Sequence, residues 1–458
     1  MMTTDLDQIA DELASLAELG VKKAGTRGAE ESEVFISNID TLAITMKTGV
    51  VEARQGVSLG LGIRVVLDGK VGFAATSGID EKKIDHTIQE AIEVARIRPL
   101  DRKFSHLADP VSIPSKDGII DDKVLEFTEM DALKEVNTLS KDAFEYDKRV
   151  KALFGGIGVE KAVFAVASSR GIAGCSIRAV IGGGVYLTAI ENGKQKTGSE
   201  SIDSRELVDF HETGSRAAQR AIKMLESKSL GKSFRTAVVW ENVAVGLLVK
   251  GMFNSASSAR NVQQGKSYFK GKLGEKVASD VFTIIDDGQL PEGLQTFKTD
   301  SEGVPSQTTT LIEKGFLKEY IYDSYSALQE NRHSTGNASR KWPEPFLSMP
   351  EISTSNIVVK PGEQDLDGLI GEVKEGILVT DFVMGAGHAN VTTGEFSVVA
   401  PSAFLIKSGE VKQPLEPITI AGNFFHSLKD ITDIGSDPRI TSIGKIPSIV
   451  VQNLTVSG

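Results

Sequence analysis

Apolar residues recur at Leu6, Ile9, Ala10, Leu13 and Ala17, three and four apart, and predict an amphipathic helix that Gly20 or Gly25 would end. The period then switches from 3.6 to 2. Segments 33–37, 42–47 and 50–54 alternate around a Thr48-Gly49 turn, and Leu59, Leu61, Ile63, Val65 and Leu67 mark every second position of a long strand. Asp68-Gly69 suits the positive φ angles of a type I′ hairpin, and Val71, Phe73 and Ala75 carry the alternation back. Ile84, Ile88, Ala91, Ile92 and Ala95 line one face of a second helix, which Pro99 stops. Residues 1–98 thus predict a block of helix, antiparallel sheet and helix.

Residues 99–122 carry three prolines among polar residues and predict a linker. A second block, 123–230, opens with a helix near 130–146 and continues as strands to about residue 199, with turns at Arg170-Gly171 and Asn192-Gly193. Asp203 with Glu206 has capping-box spacing and predicts a helix through Leu207, Phe210, Ala217, Ala221 and Leu225. Residues 231–458 are glycine-rich, with short strand signals and one prominent helix marked by Ala244, Leu247, Leu248, Gly251, Met252 and Ser255. Asn242 stands where its N-cap belongs. No period of 20–50 residues repeats, which argues against a solenoid. The fold class is α+β.

With 51 Lys and Arg against 62 Asp and Glu, the net charge is −11, which opposes binding to a phosphate backbone. The most apolar stretch, 237–253, is broken by Glu241, Asn242 and Lys250, so no membrane span is expected. The N-terminus is acidic and amphipathic, unlike a signal peptide, and a single cysteine, Cys175, forms no internal disulfide. A cytoplasmic chain without nucleic-acid or membrane partners is the expectation.

Residue chemistry alone yields no complete catalytic set. Six histidines are present and none has HExxH spacing; His211-Glu212 begins such a motif, but Ser215 stands at the partner position. Cys175, in a strand pattern, lacks a nearby imidazole and reads as a small buried hydrophobe. The clusters at 182–184 and 385–387 lack the Gly-Lys-Ser/Thr of a phosphate loop and suggest sheet bends or close backbone approach. Asp286-Asp287 before Gly288 reads as a solvated turn.

Several segments in order nevertheless carry a resemblance: IIDDG at 284–288, DSEGVPSQ at 300–307, LIEKGFLK at 311–318, TGN at 335–337 and GAGHANVTTGEF at 385–396. The chain resembles the TldD/PmbA family over nearly its whole length. PITIAGN at 417–423 and the following IGSD at 434–437 resemble its PmbA (TldE) branch. TldD-type members are zinc peptidases with an HExxxH helix, a following Phe-Asn pair and a later cysteine. Anchored on Phe253-Asn254 and Gly246, the resemblance puts the first histidine at Asn242, the glutamate at Val243, the second histidine at Leu247 and the cysteine at Ile443. A site worth roughly 10–16 kcal/mol in zinc affinity would lose every ligand, and its general base as well.

The resemblance therefore implies a metal-free subunit paired with a TldD-like, zinc-bearing partner and acting on peptides or unfolded polypeptides. A second copy of the chain could pair with itself in isolation. Gly385, Gly387, His388 and Thr392 are the expected substrate-cleft residues, on glycine-rich strands whose edge could bind an extended peptide. Two other readings are a peptidase active in its own right through His388, His333, Asp300 or Glu302, and a scaffold such as a gyrase modulator.

Overall fold

The computed structural model describes residues 3–458, with side chains from Asp5 onward. Helix α1 (Thr3–Thr26) runs through both glycines expected to end it. At Gly20 the helix sits so close to the sheet that an added Cβ would lie 3.0 Å from Val34 Cγ2. The turn comes later, at Gly28, with φ +93°.

The separate alternating segments fuse into continuous strands β1 (Glu31–Lys47), β2 (Val50–Leu67) and β3 (Lys70–Ser77). Thr48-Gly49 and Asp68-Gly69 both adopt the positive φ angles a two-residue hairpin turn demands. Helix α2 (Glu81–Ile97) follows, its first turn capped by the Asp80 carboxylate accepting from Lys83 N at 3.1 Å. Next come α3 (Asp122–Glu126), α4 (Glu129–Tyr146), β4 (Val150–Ser168), β5 (Ala173–Glu191), β6 (Lys194–Ser204) and α5 (Thr213–Met224).

One antiparallel sheet, ordered β3-β2-β1-β4-β5-β6, spans both N-terminal blocks, because β1 pairs with β4 from Glu33↔Ser168 to Lys47↔Phe154. Strand alternation divides its faces. Val34, Ile36, Leu61, Ile63, Val163 and Ala165 join the helices in one core, while Phe35 and Val166 point the other way, against Val304 and Phe346 of the C-terminal half.

The capping-box expectation fails at Asp203. That residue pairs with Gly182 inside β6, Glu206 lies in a loop, and α5 starts only at Thr213, after Glu212 in a left-handed conformation. Ladder pairing and Arg205 outweigh the local signal. The buried Arg205 guanidinium donates to Gly293 O at 2.6 Å and to Thr296 O, tying the loop to the C-terminal half. Residues 99–121 are irregular, as a linker should be, yet they are fastened as a strap. Ser115 Oγ donates to Lys298 O at 2.6 Å, Asp117 accepts from Lys298 N at 2.8 Å, and Ile119 N donates to Pro291 O at 2.8 Å.

The C-terminal half begins with β7 (Ser233–Trp240), α6 (Asn242–Ala256) and β8 (Ile284–Asp287). Strand β7 lies inside an eight-stranded mixed sheet, parallel to Glu375–Val379 on one side and antiparallel to the final strand, Ile449–Ser457, on the other. A six-stranded sheet containing β8 packs nearby, and α6 fills the core with Leu248, Met252 and Phe253.

Four buried charges clamp the two halves together. Arg64 on β2 donates to Glu33 on β1 at 3.0 Å and to Glu302 at 3.0 Å, and Arg340 donates to Glu33 at 2.8 Å. Glu302 also accepts from Ser324 N at 2.9 Å. Burial works against the Arg64 charge, but Glu33 and Glu302 outweigh it and raise its pKa; Arg340, deeper still, is pushed down by burial to about 10. Removing one member strands the others in a low-dielectric interior. Arg340→Ala should therefore cost about 3–5 kcal/mol, read as a lower midpoint in urea denaturation.

Candidate functional site

The positions singled out by the resemblance lie where β7 hands over to α6. Asn242 opens the helix rather than preceding it; the N-cap is Glu241, whose side chain makes no capping bond. The Asn242 amide is instead engaged on both sides, accepting from Val243 N at 2.8 Å and donating to Asp437 O at 3.1 Å. The apolar stripe is also rotated from the expected one. Ala244, Val245, Leu248, Val249, Met252, Phe253 and Ala256 are buried, whereas Leu247 is 54% exposed. Ile443 packs so tightly on α6 that a Cβ at Gly246 would lie 2.8 Å from its Cδ1. An occupied amide and three hydrocarbon side chains do not fit a zinc ion. Among the described residues, no group of three His, Cys, Asp or Glu side chains is placed to hold a metal.

The second set of predicted residues meets this helix in space. Ala386–His388 forms a single 3-10 turn packed against α6, entered through Gly385 at φ +90°. Gly387, His388 and Thr392 are exposed, and Thr392 N donates to Asn390 Oδ1 at 3.1 Å. Residues 385–394 are thus turn and loop rather than strand, and pairing begins only at Glu395. The positive φ at Gly385 and Gly394 breaks the extended run that glycine-rich strands would need.

The residues of the alternative catalytic set are not brought together. Glu302 belongs to the buried clamp, and the Asp300 carboxylate is taken by three amides, those of Glu302, Val304 and Ala338, at 2.9–3.0 Å. His333 is exposed in a separate cleft beside Ala327 and Leu328. His211 is exposed in the turn before α5, its Nδ1 3.2 Å from the Asp142 carboxylate. Cys175 is only half-buried; its Sγ donates to Ala10 O at 3.2 Å, and burial pushes the thiol pKa up.

Sequence reasoning missed a polar network at the start of α6. Arg220 on α5 lies 3.1 Å from Glu200 on β6 and 3.6 Å from Glu241; Arg439 also reaches Glu200. Asp381 accepts from Ser199 N at 3.1 Å and donates its own N–H toward Glu241 at 3.4 Å. Burial raises the carboxyl pKa of both Glu241 and Asp381. These residues come from five distant stretches, so no local pattern could reveal them. Beside the network, a groove of about 480 Å³ runs over Gly155, Gly156, Gly158 and Gly184, flanked by Tyr186 and Phe382. The glycine cluster at 182–184 serves close approach, since a Cβ at Gly184 would meet Ser201 Cβ at 2.7 Å.

Asp286 overturns the expectation of a solvated turn. It lies in β8 almost wholly buried, accepting from Asn337 Nδ2 at 2.5 Å and from Ser355 N at 2.7 Å. Burial lifts its pKa to about 6, against the pull of those donors.

Such an architecture defines a two-part α+β protein whose most apolar helix meets an exposed glycine turn next to an inter-domain ion network. The chain belongs to the PmbA/TldD metallopeptidase family. It matches the family described as PmbA/TldA metallopeptidase in domain 1 (32–95), the central domain (122–225) and the C-terminal domain (233–458). A Metalloprotease PmbA homolog of Haemophilus influenzae is 28% identical over 470 residues, spanning 98% of this chain and 96% of that protein. A Metalloprotease TldD homolog of Buchnera aphidicola is 27% identical, covering 90% of each chain. The crystal structure of TldE from Thermococcus kodakarensis shares the fold, with a TM-score of 0.86, 24% identity, and 97% and 100% coverage. Among the described residues, no helix is long and apolar enough to cross a membrane.

The raised pKa of Asp286 sets a sign for stability. The folded state holds this proton more tightly than the unfolded chain, so the group stabilises fully below about pH 4, and that contribution is lost as pH rises through 6. Denaturation between pH 4 and 7 should show the wild type losing roughly 2–3 kcal/mol relative to Asp286→Asn.

Proposed function

We propose that this chain is the metal-free, PmbA/TldE-like subunit of a cytoplasmic TldD-type peptidase, with zinc and general base supplied by a TldD-like partner. The observation that carries this reading is the state of α6, where the family resemblance requires two imidazoles and a carboxylate. There the helix offers an amide already bonded at both ends, a part-exposed valine and an exposed leucine. Relatives named both PmbA and TldD span nearly all of the chain or most of it, which supports a paired ancestry for the two subunits.

The role left to this chain is to shape the cleft and hold peptide. The glycine groove suits an extended backbone, because absent side chains allow close approach, and Tyr186 with Phe382 offers an aromatic wall at its rim. Gly387, His388 and Thr392 add, in this reading, an exposed turn and loop whose 3-10 segment packs against α6.

The test is zinc content and peptide cleavage by the purified chain alone and after mixing with a TldD-like homologue. The expected result is no stoichiometric zinc and no cleavage alone, with cleavage in the mixture. Stoichiometric zinc together with activity in the isolated chain overturns the proposal. In the active mixture, Tyr186→Ala should raise KM about 3–10-fold and leave zinc content unchanged, matching the loss of one aromatic contact.

A further inference from the structure

A cavity of about 100 Å³ lies between the outward face of the N-terminal sheet and loops of the C-terminal half. It shares no lining residue with the glycine groove. One wall is built of four rings. Phe164 on β4 stands at the centre, stacked 6.0 Å from Phe35 on β1 and edge-on to Phe297 at 5.4 Å and Trp342 at 5.9 Å. Trp342 and Ser339 are the exposed members of the lining, so the mouth opens beside them. The remaining lining is polar, and part of it is engaged elsewhere: Asn337 and Ser355 bond to Asp286. The hydroxyls of Ser301 and Ser306 and the side-chain amide of Gln295 differ, for they make no hydrogen bond among the described residues. Ser306 is 5% exposed and lines the cavity, so a partner for its hydroxyl has to sit inside.

Charge and size narrow the ligand. The Arg340 guanidinium lies 4.5 Å from the Phe35 ring, and that of Arg178 lies 5.3 Å from Trp342 and 5.9 Å from Phe297. Cations thus already hold faces of three of the four rings, and a cationic ligand would be repelled. Arg340 is paired with Glu33 and offers an anion no free charge, while the Asp300 carboxylate is taken up by backbone amides. The volume is close to the about 150 Å³ of an engineered closed cavity that holds benzene, and the open mouth lets a substituent project. We propose that the cavity binds a single neutral ring of the phenol class, packed against Phe164 with its hydroxyl bonded to Ser306. Aromatic walls with a few convergent polar groups are the usual make-up of such a site. A tyrosine side chain of a polypeptide and a free phenolic compound share this chemistry. The site does not depend on the peptidase reading, and its test reads binding to the isolated chain rather than cleavage.

The probe is p-cresol, titrated into the full chain by calorimetry and followed by the emission of Trp342. The second tryptophan, Trp240, is 2% exposed in the C-terminal core and gives a constant background. A Kd on the order of 0.1–1 mM is expected for so small a ligand. Toluene, which lacks the hydroxyl, should bind about 3–10-fold more weakly, the value of one hydrogen bond. Ser306→Ala should erase that difference by weakening p-cresol alone. Because the Ser306 hydroxyl bonds to no described residue, the melting curve of this variant should not move. N-acetyl-tyrosinamide separates the two sources. Binding at least as tight as that of p-cresol identifies a tyrosine side chain, and weaker binding or exclusion identifies a free phenolic compound. No p-cresol binding at millimolar concentration, equal affinity for p-cresol and toluene, or a p-cresol affinity indifferent to Ser306→Ala each overturns the proposal.

Discussion

The Glu33–Arg64–Arg340–Glu302 cluster is the constraint on which the remaining geometry depends. Two of its members lie on neighbouring strands of the N-terminal sheet and two on C-terminal loops, and all four are withdrawn from water. A set of charges so deeply buried tolerates little displacement, because each shift leaves a formal charge without its counterpart. The sheet is consequently held at one angle to the C-terminal domain. Everything between them follows: the cavity of about 100 Å³ walled by Phe35, Phe164, Phe297 and Trp342, the strap over 99–121, and the ion network at the start of α6.

Seen from that interface, α6 is a structural member. Its buried face is continuous from Ala244 to Ala256, and Ile443 fills the space over Gly246. Lys250 reaches Ser442 O at 3.2 Å, and Asn254 accepts from Thr354 N at 2.8 Å, so α6 organises the loops around it. The same helix braces the glycine turn at 386–388.

Local patterns made much of this legible. Period-2 alternation located β1 to β3, and the Asp68-Gly69 turn was readable because only one hairpin type suits that dipeptide beside such strands. What failed did so where distant groups overruled local preference. Asp203 has capping spacing but is claimed by pairing with Gly182; Asp286 looks like turn composition but is enclosed by Asn337 and Ser355. Leu247 fits a helical stripe, yet the packing of α6 turns it outward. The polar network around Arg220 was invisible for the opposite reason: its members carry no local signal, and only the docking of two domains makes them neighbours.

The position of strand Ile449–Ser457 has a temporal consequence. It is the antiparallel neighbour of β7 within its sheet, so β7 finds this partner only after the long intervening stretch of chain has been synthesised. Until residues 449–457 leave the ribosome, β7 has a vacant flank and the core around α6 stays open. The N-terminal sheet, complete by residue 204, has no such wait. Nascent chains should therefore emerge half-finished, with the burden of protection from aggregation falling on the second domain alone.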